Sequence, residues 1–124
     1  MNKITIIGNV GQDPELRFTQ GGQSSVKMTV ATSRKVKEEW VSTWHNVVAW
    51  GQLAENIAAS VVKGTRVIVS GRLDVREWKD KNDNKKVSYE IVVDEIGVSL
   101  KNATVSVERI EMKSAAPADV EEAF

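Results

Sequence analysis

The chain has no cysteine and a single histidine, His45. Disulfides and thiolate metal sites are excluded, and one imidazole does not make a structural zinc site. No metal and no cofactor is expected. No apolar run approaches the ~18 residues that cross a bilayer, and the N-terminus lacks a basic-then-apolar leader. The expected location is cytoplasmic, with no membrane partner. Net charge is also missing: 17 basic residues balance 17 acidic ones. A neutral chain argues on its face against nucleic acid as a partner. The imbalance is local, however. Without the last twelve residues the remainder carries 16 basic and 14 acidic groups.

What is present is one domain's worth of strand-like sequence. The 124 residues suit a compact domain over 1–112 and a short acidic tail over 113–124. Period-2 patterning between turn signals predicts strands over 2–10, 25–33, 43–50, 65–78 and 86–95, with a weaker sixth over 104–111. One helix is predicted over 52–63, where Leu53, Ile57, Ala58 and Val61 share a face. Gly64 follows as a left-handed cap, and Lys63 complements the helix's negative end. Loops are expected over 13–25, 34–39 and 79–86. Gly71, inside the fourth strand, marks a bulge or bend.

This order predicts a mainly β fold. The expected form is a five-stranded OB-fold barrel with one short helix between strands three and four, plus an extra C-terminal strand. An unrelated α+β domain is the alternative.

Three of the four tryptophans fall within WVSTWHNVVAW, residues 40–50. Alternate strand residues face opposite ways. Trp40, Trp44 and Trp50 therefore share a face with Ser42 and Asn46, while Val41, Val47 and Ala49 take the other. The fourth strand repeats the pattern. Val67, Val69, Leu73 and Val75 form an apolar face, and Trp78 lies with Arg72 and Arg76. Partly buried packing is the ordinary role of a lone tryptophan. Four on the polar phase of two strands form a patch that needs a cover. Single-stranded nucleic acid supplies flat bases to stack and phosphates to neutralise. The cations expected to flank the indoles are Arg34, Lys35, Lys37, Arg72, Arg76, Lys79, Lys81, Lys85 and Lys86.

Several motifs resemble the bacterial and phage single-stranded DNA-binding proteins. IIGNVGQDPELRFTQGG is similar to that family's first strand and loop, and VKMTVATS to its second strand. TWHNVVAWGQLAENIAASVVKG resembles its third strand and helix, and VIVSGRLDVREW its fourth strand. VDEIGVSL followed by ATVSVERI is most similar to actinobacterial members. The match covers roughly residues 1–111.

The resemblance implies an OB-fold subunit of a homotetramer that wraps single-stranded DNA. It also implies stacking on Trp44, Trp50 and Trp78, a nucleoid association, and a sixth strand that clamps dimers. Val36 stands where relatives often carry another aromatic, and Trp40 is expected to substitute. His45 matches a subunit-interface position, with a packed histidine as an equal reading. Relatives end in an acidic tip closing in proline and phenylalanine. Here KSAAPADVEEAF keeps Asp119, Glu121, Glu122 and Phe124 but has Ala123 before the end. Its expected role is to recruit replication and repair proteins; a solubilising tail is the alternative.

An enzyme is not expected: there is no thiol, metal cluster or phosphate-cradling glycine loop, and His45 has no obvious serine or cysteine nucleophile partner in sequence. Two further readings stay open: an RNA-binding OB module, and an assembly protein whose tryptophans pack on other subunits. Deleting residues 119–124 is expected to leave oligo-dT affinity unchanged while abolishing recruitment of replication proteins. A large loss of affinity in a fluorescence titration would count against that role.

Overall fold

The computed structural model describes residues 2–110. The acidic tail, with Asp119, Glu121, Glu122 and Phe124, lies outside the described residues. So does the last residue of the expected sixth strand.

The elements in chain order are β1 (Lys3–Val10), β2 (Glu15–Phe18), β3 (Ser24–Val36), β4 (Glu39–Trp50), α1 (Gln52–Ser60), β5 (Arg66–Lys79) and β6 (Lys85–Val98). Five strands close into a ring. β1 pairs with β5, β5 with β6, β6 with β4, β4 with β3, and β3 returns to β1 through Asn9–Ala31 and Val10–Val30. Every contact in the ring is antiparallel except β4 with β6, which run parallel at Val47–Ile91 and Val48–Val92. β2 is an edge strand added to β3.

The interior follows from the alternation. Ile6, Val10, Val26, Met28, Val30, Val47, Ala49, Val67, Val69, Ile91 and Val93 point inward and are buried. Ala54, Ile57 and Val61 of the helix segment join the same core, with Leu53 and Ala58 packed against it. A five-stranded barrel has a narrow bore, and β-branched side chains fill it without a polar atom to satisfy. Burying each valine or isoleucine contributes about 1.5–3 kcal/mol.

The sequence reading needs four corrections. Residues 15–18, expected within a loop, form β2. The expected loop over 34–39 shrinks to Lys37 and Glu38, both with positive φ, in a two-residue hairpin turn between β3 and β4. The helix ends at Ser60 and Val61 is already extended, so Gly64 belongs to the turn from Val62 to Thr65 instead of capping the helix. Over 104–110 no strand is present. That segment pairs with no other described strand.

Gly71 meets the expectation of a bulge. The β5–β6 register shifts between Ser70 and Gly71. A Cβ at Gly71 would overlap the backbone carbonyl of Val92. Because the obstacle is backbone, it cannot rotate away. Gly71→Ala is expected to cost about 1–3 kcal/mol in denaturant unfolding. Gly97→Ala, which meets open space, is the control and unfolds at or above the wild-type midpoint.

Candidate nucleic-acid interface

The small bore has a direct consequence for the large rings. Among the described residues no aromatic side chain is buried. Trp40, Trp44, Trp50 and Trp78 are 70%, 61%, 44% and 51% exposed, and Phe18 and Tyr89 are exposed as well. The three β4 tryptophans share the outward phase, as the alternation requires. Strand rise separates Trp40 from Trp44 by roughly 13 Å and Trp44 from Trp50 by roughly 20 Å. Val48 departs from this phase, being outward yet buried.

The parallel β4–β6 contact decides where the rings gather. Residues 39–46 and 85–90 both precede the paired region, so both hairpins leave the same end of the barrel. Trp40 and Trp44 ride on the β3–β4 arm, and Trp78 and Tyr89 on the β5–β6 arm. Trp44, Thr43 and Asn46 line an apolar pocket of about 290 Å³ together with Tyr89, Leu73 and Ile4. Tyr89 was not anticipated as a site residue. Its phase is that of Ile91 and Val93, and no local signal shows that it lines a pocket with Trp44.

Cross-strand register sorts the expected cations. Lys35 lies opposite Trp40 on the same face, and Lys86 lies opposite Trp78, two residues from Arg76. These three accompany indoles. Arg34 lies opposite Val41, on the face away from the tryptophans. Lys79 and Lys85 oppose each other on the face away from Trp78. Their ammonium groups sit 3.6 Å from Asp83 and Glu77 respectively. Arg72 is outward but pairs beside Lys3, roughly 20 Å along the strand from Trp78. Lys37 and Lys81 occupy the two hairpin turns. Arg76, itself exposed, approaches half-buried Glu90 at 4.0 Å, a long contact that leaves the guanidinium open to a phosphate. Arg17 of β2 escaped the sequence reading: it faces Ser25, which faces Trp50, and its guanidinium is paired with Glu15 at 2.7 Å. It was missed because β2 was read as loop.

His45 is half-buried and its Nε2 lies 2.9 Å from Thr32 Oγ1. It also lines the Trp44–Tyr89 pocket. Among the described residues no three side chains gather to hold a metal ion. No described helix is long and apolar enough to cross a membrane.

The model of the single-strand binding protein family matches residues 1–99, the whole barrel. The chain belongs to this family. It is 40% identical over 115 residues to the single-stranded DNA-binding protein of Paenarthrobacter nicotinovorans, covering 87% of this chain and 68% of that one. The single-stranded DNA-binding protein of Mycobacterium tuberculosis is 41% identical over 113 residues, 86% of this chain and 69% of the relative. Single-stranded DNA-binding protein 2 of Streptomyces coelicolor is 40% identical over 111 residues, 84% and 56%. All three relatives are actinobacterial, as the ATVSVERI motif implied. Membership makes the closed ring an OB-fold, and the reading of the chain as a binder without catalysis stands with it.

In this family member the Trp44 ring lies on a glycine. The Gly11 amide donates to the Thr29 carbonyl at 2.9 Å, bringing β1's exit against β3. A Cβ at Gly11 would overlap Trp44 Cζ3 and Thr29 Oγ1. Glycine thus leaves the space in which the indole lies against the barrel. Gly11→Ala is expected to lift the ring. In a chain whose sole tryptophan is Trp44 (W40F, W50F, W78F), the change raises iodide quenching of the free protein while the far-UV circular dichroism stays the same. An unaltered quenching constant would sink this account of the seat.

Proposed function

We propose that this protein binds single-stranded DNA by stacking bases on Trp40, Trp44, Trp50 and Trp78. Lys35, Arg76, Lys86 and the turn lysines Lys37 and Lys81 neutralise its phosphates. The observation that carries the reading is the complete exclusion of described aromatics from the core, with indoles on two arms at one end of the barrel. Exposed indoles cost the folded chain favourable burial that only a ligand or partner returns. Base stacking returns about 1–3 kcal/mol per ring without demanding a particular base. The names of the relatives agree with this ligand.

The protein coats exposed strands during replication, recombination and repair, in the cytoplasm and associated with the nucleoid. It does so as a homotetramer whose acidic tail recruits partners. Two features support self-association. The edge of β1 from Lys3 to Ile7 pairs with no described strand on the side away from β5, a template for pairing with a second copy. Ile7 and Ile68 form an exposed cross-strand apolar pair beside it. The exposed side chains of Val105, Val107 and Ile110 fit the expected clamp strand, which would find its ladder on a neighbouring subunit. His45, beside Ile4 in the Trp44 pocket, sits where a partner's strand would reach it.

Titration with oligo-dT is expected to quench tryptophan fluorescence in a salt-dependent manner. Trp44→Ala and Trp78→Ala each weaken binding by about 1–3 kcal/mol without lowering the unfolding midpoint, because neither ring is in the core. Loss of folding with unchanged affinity per folded subunit would refute the platform. Stronger quenching by an RNA oligomer of matching sequence would move the reading to an RNA-binding module.

A further inference from the structure

On the outer surface of the barrel one cross-strand row leads away from Trp44. Trp44 of β4 faces Ala31 of β3, Ala31 faces Asn9 of β1, and Asn9 faces Arg66 of β5. All four are on the outward phase, since Val30, Val10 and Val67 beside them are buried. Three interstrand steps place Arg66 about 14 Å from Trp44. That is within the ~4–16 nucleotides that one OB-fold covers.

Arg66 lines a cavity of about 350 Å³ with Asn9, Ser60, Thr65, Ser99 and Asn102. It is the one charged residue among the described residues that line this cavity, and no described carboxylate lines it. The walls are held by backbone bonds: the Val10 amide donates to Thr65 O, the Gly64 amide to Val10 O, and the Ser99 amide to Arg66 O, at 2.8–2.9 Å. The Arg66 Nε is enclosed and has no hydrogen-bond partner. A buried guanidinium N–H left unpaired carries an uncompensated desolvation cost. A fixed fork of N–H donors beside amide and hydroxyl groups suits an oxyanion.

We infer that the Arg66 cavity is a phosphate subsite for the same strand of DNA that stacks on Trp44. The strand then crosses the barrel's outer face along the row from Trp44 over Asn9, perpendicular to the β-strands. The inference rests on the single-stranded DNA reading above and adds a contact that the arms do not supply. Ala31 lies between, and its small side chain keeps the path open.

The test is oligo-dT titration of the full-length protein across a salt series, comparing wild type with Arg66→Gln and Arg66→Lys. Each phosphate contact on single strands contributes about 0.7 to the slope of log K against log salt. Arg66→Gln is expected to lower that slope by about 0.7 for each Arg66 engaged. Affinity at low salt falls severalfold, and the maximal tryptophan quenching does not change. Arg66→Lys keeps the slope. An unchanged slope in Arg66→Gln overturns the subsite while leaving the stacking reading intact. A wild-type protein that neither binds nor quenches overturns both.

Two controls address other occupants. A slope change that disappears when residues 113–124 are deleted assigns the cavity to the tail's carboxylates and overturns the phosphate. A shift of oligomer mass in Arg66→Gln assigns it to contacts between copies and does the same.

Discussion

The closure of a narrow five-stranded ring is the constraint on which the rest depends. The bore takes valine, isoleucine, alanine and one methionine, and it has no room for an indole. Every described aromatic is therefore outside. The chain folds on aliphatic burial alone, which leaves its largest rings free for contact. Stability and binding draw on different residues, and this separation lets four tryptophans stand in the open without weakening the core.

The one parallel contact, between β4 and β6, turns that separation into a site. It aligns the starts of two hairpins and so sends Trp40 and Trp44 out on one arm and Trp78 and Tyr89 on the other, from the same end of the barrel. The antiparallel contacts do a second job. They carry a straight row of outward positions from β4 through β3 and β1 to β5, linking an indole at one end with a guanidinium at the other. Gly11 and Gly71 serve the two jobs locally. One leaves space for a ring against the barrel, and the other lets β5 bend so that the ring closes.

Much of this was legible before any coordinates. The alternation in 40–50 and 65–78 separated inward aliphatics from outward indoles, and Gly71 announced the bulge. The helix was legible through Leu53, Ile57 and Val61. The misses have local physical causes. β2 is four residues long and sits between Pro14 and the Gly21-Gly22 turn, so its extended conformation is held by pairing to β3 rather than by its own pattern. The β3–β4 hairpin turns on Lys37 and Glu38, neither of which is a habitual turn residue at positive φ. The strand expected over 104–111 alternates well, but a strand needs a neighbour, and residues 104–110 pair with no described strand.

For the site, strand phase sufficed for the tryptophans but not for the charges. Lys35, Arg76 and Lys86 accompany indoles, while Arg34, Lys79 and Lys85 do not, although all six were equally plausible as a list. The sequence by itself determined which face each side chain takes, because alternation is a property of consecutive residues. Only the tertiary structure decided which residues share a pocket or a cross-strand row: Tyr89 with Trp44, Arg17 with Trp50, and Arg66 at the end of the Trp44 row. Those pairings are set by how strands far apart in the chain register when the barrel closes, and no local pattern encodes that register.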